Sequence, residues 1–279
     1  QLDEDSLQRD EFAGEPLRPL LATKYAATSL AVYGEAEWPL SDRVSLTAGM
    51  RVETRSADYS DSDGARFNPR DTMAGGQVSL QGPLGESNRW YATVARGYKA
   101  GGFNIGTFVP DEQRQFTPEY LWNAESGMRF GNAAAGVQGD VALFYMWRED
   151  QQVATSFQLD PGDPLSYVFF TDNAARGRNY GLEASLAWQP VERLQFWATL
   201  GLLHSEYVGY RYGDRNLDGR EQAHAPGYQY SLSAQWGGGE GWMARADLNG
   251  VDAFYLDTSP DQRSNPYTLL NLMAAYMRG

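Results

Sequence analysis

The chain contains no cysteine, which excludes a disulfide scaffold and thiolate metal centres. Histidine is almost as scarce: His204 and His224 are the only two in 279 residues. No Ser/His/Asp arrangement can be built from their spacing, and no glycine-rich phosphate loop follows a strand, so the chain does not read as an enzyme. No run of about 18 apolar residues occurs, which excludes a transmembrane helix. Basic residues are in deficit, 23 against 36 acidic ones for a net charge of −13, and no basic stripe offers itself to nucleic acid. The first residues lack a charged stretch leading into an apolar one, so no signal peptide is read there. Abundant instead are aromatics, 17 Tyr, 12 Phe and 8 Trp, together with 30 Gly. A polar average does not exclude a membrane, because a membrane β-barrel alternates lipid-facing and lumen-facing residues.

The period of the chain is two. In residues 43–55, RVSLTAGMRVETR, Val44, Leu46, Ala48, Met50 and Val52 share one face. Arg43, Ser45, Thr47, Gly49, Arg51, Glu53 and Arg55 share the other. Such a run is long for a soluble strand, usually about 5–6 residues, and suits a tilted membrane strand, which needs about 9–11. The same alternation recurs over residues 137–148, 179–189 (extending back toward Tyr167) and 193–205, and further strands fit at 25–38, 73–81, 89–99, 120–130, 227–236, 241–251 and 267–276. About eleven strands result.

Their connections alternate in length. Residues 39–42, 82–87, 131–136, 190–192 and 237–240 are short turns, and 58–70, 101–117, 159–166, 210–226 and 257–265 are long loops. Trp38, Trp90, Trp188 and Trp236 stand beside the short turns, and Tyr59, Tyr98, Tyr207 and Tyr255 near the long loops. Short turns at one end, long loops at the other and aromatic girdles between describe an all-β, antiparallel up-and-down transmembrane barrel of the bacterial outer membrane. A soluble sandwich would have shorter strands and less regular loops. Within residues 89–104, RWYATVARGYKAGGFN, Trp90, Ala92 and Val94 are expected against lipid and Tyr91, Thr93, Ala95, Gly97 and Lys99 in the lumen, with Trp90 and Tyr98 marking the two interfaces. Arg96 falls on the lipid parity, so it lies near the outer interface or the strand bulges.

The segment ARGYKAGGFN at 95–104 resembles a recurring barrel stretch of TonB-dependent outer-membrane receptors. FTPEYLWNAESGMRF (116–130), NAARGRNYGLEASLAWQP (173–190), APGYQYSLSAQW (225–236) and NPYTLLNLMAAY (265–276) resemble further strands of that family, in the family's order. The flavour is that of ferric-siderophore receptors. The resemblance implies a larger, 22-stranded barrel closed by a plug, of which residues 21–279 are a part without the plug, the TonB box or the final strands. Residues 1–20, acidic and without period, would be the remnant of an extracellular loop. It further implies uptake of a scarce solute, a ferric siderophore above all, energised by the TonB complex through the N-terminal region. A passive porin is the alternative. The lipid bilayer is the other partner, and nucleic acid is not one.

Candidate residues follow from parity and position. Arg51, Glu53, Arg55, Glu125, Arg129, Asp140, Arg148, Glu183, Arg245 and Asp247 fall on the inward parity, where they solvate the wall, pair with one another or meet a plug. Ligand contacts belong higher, at strand tops and loops: Tyr98, Lys99, Phe103, Phe108, Tyr167, Phe169, Tyr210, Arg211 and Tyr212. Aromatic faces suit planar chelators and Arg suits anionic ones, although each tyrosine equally suits the interface girdle. No resident cofactor is expected. The loop DRNLDGRE places Asp214, Asn216 and Asp218 at alternate positions before Gly219, as in half of a calcium loop. Its twelfth position is Ala225 rather than a bidentate Glu.

Overall fold

The computed structural model describes residues 2–8, 11–12, 15–16, 21–106, 108–163, 166–212, 215–258 and 261–278. One antiparallel sheet dominates. Its strands are β1 (Leu2–Gln8), β2 (Leu21–Pro39), β3 (Ser45–Asp61), β4 (Arg70–Leu84), β5 (Asn88–Lys99), β6 (Glu119–Asn132), β7 (Val137–Gln158), β8 (Tyr167–Val191), β9 (Leu194–Val208), β10 (Tyr228–Gly237), β11 (Gly241–Val251) and β12 (Tyr267–Met277). Each pairs with the next in chain order, a pure meander. Among the described residues the only helical turn is the single 3₁₀ turn Asp111–Gln113.

Eleven of these strands stand where the period-two runs place them. The twelfth is a difference. Leu2–Gln8 lies in the acidic segment expected as a loop, yet it pairs with the top of β2, from Leu2↔Ala27 to Gln8↔Leu21. Its residues LDEDSLQ put polar side chains on both faces, so no alternation announces it; the ladder is specified by the neighbouring strand. β7 and β8 are also far longer than their clear alternation, 22 and 25 residues. Past Arg148 the register shifts twice before Gln152, and Asp150 takes a positive φ of 52°, a backbone state that Asp tolerates better than most residues. This bulge scrambles the period while the hairpin continues upward.

The register carries one parity across the whole sheet. Val52 pairs with Val32 and Ala74, Val78 with Ala48 and Val94, and Ala124 with Val94 and Tyr145. The row continues as Leu143↔Leu182↔Leu202, and further on Leu232↔Leu248↔Leu270. A slip of one residue within the span would turn a strand's apolar set to the polar side; the shifts that do occur lie toward the strand ends, past Arg148 and past Trp188. One face is therefore apolar except toward the loop end, where Arg96, Arg178 and Glu206 fall on it, and its large side chains are open: Leu30, Val32, Met50, Val94, Leu143 and Leu272 are all about half exposed or more. A face of this kind belongs against lipid.

The buried residues lie elsewhere, at the long-loop end. Val153, Tyr207, Tyr210 and Leu217 form one cluster. Val109, Val168 and Phe170 form a second, with Phe157 against it.

Candidate functional site

The polar face and the loop layer above it make the candidate site. On the polar face Arg51 pairs with Glu53 at 2.7 Å, and Arg55 donates to the Tyr25 hydroxyl at 2.5 Å. Tyr91 donates to Glu125 at 2.6 Å. Arg148 lies 3.6 Å from Glu119, and Arg245 is 2.8 Å from Asp247, which also accepts from Ser233 at 2.5 Å. Arg129 stands opposite Asp140, which accepts from Ser185, and Glu183 stands opposite Ala142 in register. All of the inward-parity candidates therefore share one face, some as acid–base pairs and others bonded to tyrosine or serine hydroxyls. Such exposed pairs add little stability, about 0–1 kcal/mol each, but they make a wall that wets evenly.

Tyr98 departs from its expected place. By count it belongs to the lipid parity and was expected as an interface marker. Instead its hydroxyl accepts from Arg51 Nε at 2.9 Å and donates to Glu53 at 3.0 Å, on the polar face. The physical reason is local. The β4–β5 ladder ends at Gly76↔Arg96, and above it the Tyr98 ring lies where a Cβ on Gly75 would come within 3.2 Å. The glycine leaves room for the ring to cross to the lumen side. Arg96 stays on the lipid parity, in register with Trp122. Its guanidinium donates to the Ala74 carbonyl and stacks 4.0 Å from the Tyr120 ring centroid.

Above the wall, residues 100–106 and 108–118 fold inward and are bolted on three sides. Phe103 stacks on Tyr59 at 5.0 Å, with Tyr25 and Phe67 beside it; Tyr25 and Tyr59 are on the polar parity, so this loop covers the lumen mouth. Asn104 donates to the carbonyls of Gln113 and Thr171, and accepts from the Thr171 N–H at 2.7 Å. Asn173 of β8 accepts from the Thr117 N–H at 2.6 Å and donates to the carbonyls of Thr117 and Asp150. Gln152 of β7 donates to the carbonyls of Ala100 and Thr117. Arg114 meets Asp61 at the top of β3, 2.5 Å apart, with side chains only 7% and 0% exposed. Asp61 also accepts from Tyr59 at 3.0 Å. Tyr59 stands roughly 30 Å above the lower Trp girdle at ~3.3 Å per residue and the usual tilt, beyond the apolar band. Burial, and then the Asp61 carboxylate, push its hydroxyl up to about 12.

A second tie joins residues 215–227 to residues 252–258 and 261–266. Arg220 donates to the carbonyls of Thr258 and Asp257 and stacks 4.1 Å from Tyr255. Arg263 pairs with Glu221 and Arg215 with Asp261, both at 2.7 Å. Gln222 reaches back to Asn179 and the Glu206 carbonyl.

The ligand candidates divide. Phe103 is in the aromatic cluster at the mouth. Lys99 is exposed at the end of β5, opposite Glu119. Tyr167 and Phe169 neighbour each other on the upper part of β8, 42% and 70% exposed, and Phe108 is partly exposed in the inward loop. Arg211 is exposed in a short ladder with Asn216, and only the backbone of Tyr212 is described, opposite Arg215. Tyr210, expected at a ligand surface, is completely buried among Tyr207, Val153 and Leu217; its place is in the packing of the loop. Of the calcium candidates, Asp214 lies outside the described residues. Asn216 accepts from the Asp218 N–H and Asp218 from the Gly209 N–H. The first bond is that of an Asx turn, and the second ties the loop back to Gly209. Among the described residues no group of three or more His, Cys, Asp and Glu is placed to hold a metal.

Sequence reasoning did not single out Asp61, Asn104, Arg114, Asn173, Gln152, Arg220 or Gln222. Nothing periodic marks them. For Asn104, Arg114, Arg220 and Gln222 the available signal is an Asn, Gln or Arg within a long loop, where a side chain can satisfy several backbone groups at once; Asp61, Gln152 and Asn173 stand on strand tops and carry no such signal.

A two-faced antiparallel meander with aromatic rims and a bolted loop layer is the wall of an outer-membrane β-barrel. Residues 5–278 match the family described as TonB dependent receptor-like, beta-barrel, and the chain belongs to that family. It is 32% identical over 183 residues to the pesticin receptor of Yersinia pestis, covering 62% of this chain and 26% of that protein. The pesticin receptor of Yersinia enterocolitica is 31% identical over the same span. Among solved structures, the ferric yersiniabactin uptake receptor FyuA of Yersinia pestis superposes with a TM-score of 0.78 at 24% identity, covering 98% of this chain and 41% of that one. The siderophore receptor PiuA of Acinetobacter baumannii gives 0.69 at 18% identity, over 92% of this chain and 38% of that one. The chain thus spans about a quarter of the curated relatives it matches.

Proposed function

We propose that this chain is part of the barrel wall of a transporter that takes up a ferric siderophore across the outer membrane, with energy delivered by the TonB complex through a plug. The observation that carries the reading is the combination of family membership with a charged, self-paired lining beneath a loop layer that leans over the mouth. A hydrophilic cargo needs such a lining, and capture from dilution needs ordered groups at the mouth. The sheet has two edges, β1 and β12, and unpaired strand edges are untenable in lipid; the wall closes with strands of the same receptor. The proteins it resembles are named as a pesticin receptor, a ferric yersiniabactin uptake receptor and a siderophore receptor. In this reading the iron complex is cargo, the protein holds no resident cofactor, and no residue acts as a catalyst. Tyr167, Phe169, Phe108, Lys99 and Arg211 are the exposed groups that would meet an aromatic or anionic chelate.

The test is iron-55 uptake by cells with and without the full receptor, with a panel of purified siderophores. Uptake of one chelate that vanishes on deletion of the receptor and on collapse of the proton gradient supports the reading. Uptake that persists without the gradient makes the protein a passive pore and overturns it.

A further inference from the structure

The lipid face holds a feature that transport does not use. Across β2 to β5 the apolar face is hollowed by a groove of about 750 Å³, lined by Gly34, Ala48, Met50, Gly76, Val78 and Val94 and reaching Arg96 and Trp122. This lies within the range of small-ligand sites, ~300–1,000 Å³. The register explains its shape. Gly34, Met50, Gly76 and Arg96 are successive neighbours across the four strands, so bulk is missing on either side of Met50 and a cation stands at the end.

Arg96 points toward the outer leaflet. It donates to the Ala74 carbonyl and covers the Tyr120 ring. Each of these residues lies two positions nearer the loop end than Arg96's own register partners, Gly76 and Trp122. The long side chain has climbed from its backbone level toward the interface, as cations in apolar surroundings do. Among the described residues no carboxylate pairs with it. A lipid-facing arginine with no carboxylate beside it carries its charge without a counter-ion even near the interface. An anion supplied by the membrane itself would offset that charge.

We propose that this groove seats a phosphate-bearing lipid of the outer leaflet, an acyl chain along Gly34, Met50 and Val94 and the phosphate on the free N–H groups of Arg96. Charge complementarity and continuity with the lipid-facing surface select this occupant. Arginine forks suit phosphate, and Trp122 and Tyr120 furnish the amphipathic rings found at headgroup level. The proposal rests on the barrel's orientation in the membrane and is independent of what the receptor transports.

The experiment uses the full receptor purified from outer membranes in mild detergent, with correct assembly checked by heat-modifiable gel mobility. Phosphate-bearing glycolipid extracted from the same membranes is titrated back, and a phosphate-free diacylglycerol serves as the second probe. Arg96→Gln removes the cation. Gly34→Phe fills the groove, and a Cβ at Gly34 meets nothing within 4 Å, so the barrel has room for it. Arg96→Gln should weaken glycolipid binding about tenfold, the worth of one charge-assisted contact, with Arg96→Lys recovering most of the loss, and Gly34→Phe should weaken it as well by excluding the acyl chain. Undiminished binding in either assembled variant, or equal binding of the phosphate-free lipid, overturns the proposal. If Arg96→Gln does not assemble, Gly34→Phe alone decides.

Discussion

The membrane wall and the loop layer are built from the same strands by opposite means. In the wall, stability comes from backbone ladders whose side chains need only be apolar on one face and polar on the other. Any residue of the right character serves, and the ion pairs on the polar face are exposed and individually weak. In the loop layer no face repeats. Order there depends on single side chains that satisfy several backbone groups at once, as Asn104 and Asn173 do, and on one buried ion pair, Asp61–Arg114. The wall tolerates substitution by class, whereas the loop layer depends on residue identity. That contrast fits a scaffold carrying an adaptable recognition surface.

The sharpest way to break the comparison is at Asp61. Asp61→Ala removes the buried partner of Arg114, which is 7% exposed and keeps only the exposed Asp111 at 3.3 Å, and should destabilise the local fold around Arg114 by about 3 kcal/mol. Hydrogen exchange should show the amides there opening while β3 and β4 stay protected. If the wall opens with them, the two regions are one cooperative unit and the contrast fails.

Next in size is Met50→Arg, which puts a charge on the lipid face and should cost about 2–4 kcal/mol of barrel stability. Thr47→Arg, on the polar face three residues away, should cost less than about 1 kcal/mol. Urea unfolding of the full receptor in vesicles measures both. Equal losses would mean that the faces are assigned the wrong way round.

Asn104→Ala should come third. It leaves the Thr171 N–H and the carbonyls of Thr171 and Gln113 without their partner, at about 1–3 kcal/mol. Limited proteolysis between residues 104 and 114 should accelerate, with gel mobility of the intact barrel unchanged.

The wall was legible in the sequence because its code is redundant. The alternation of residues 43–55 is repeated in ten other runs, and an error in one strand is corrected by its neighbours. Three features were not legible, each for a physical reason. Leu2–Gln8 is polar on both faces and is a strand because β2 offers it a ladder. Beyond Arg148 the bulge at Asp150 breaks the period just where the hairpin leaves the wall. The burial of Tyr210 depends on Val153 and Leu217, which reach it from another hairpin and from its own loop, so no local pattern distinguishes it from the exposed Tyr167. The inward-parity candidates were readable as a set, while the residues that hold the loops in place were not, since their partners are backbone groups far away in the chain.

The smallest predicted effect tests the seam between the two regions. Tyr98 stands at the top of the wall, past the end of the β4–β5 ladder, yet its hydroxyl belongs to the lumen network through Arg51 and Glu53. Tyr98→Phe keeps the ring against Gly75 and removes only the two hydroxyl bonds; the Arg51–Glu53 pair persists at 2.7 Å. Because Arg51 is open to water and Glu53 keeps its pair with Arg51, the loss should be about 0.5–1.5 kcal/mol, readable as a small shift of the urea midpoint. Glu53→Gln in the same background should then add less than it does alone, since hydroxyl and carboxylate act on one guanidinium and neighbouring sites are not additive. Fully additive losses would show that Tyr98 works independently of the wall and that its ring is part of the loop layer instead.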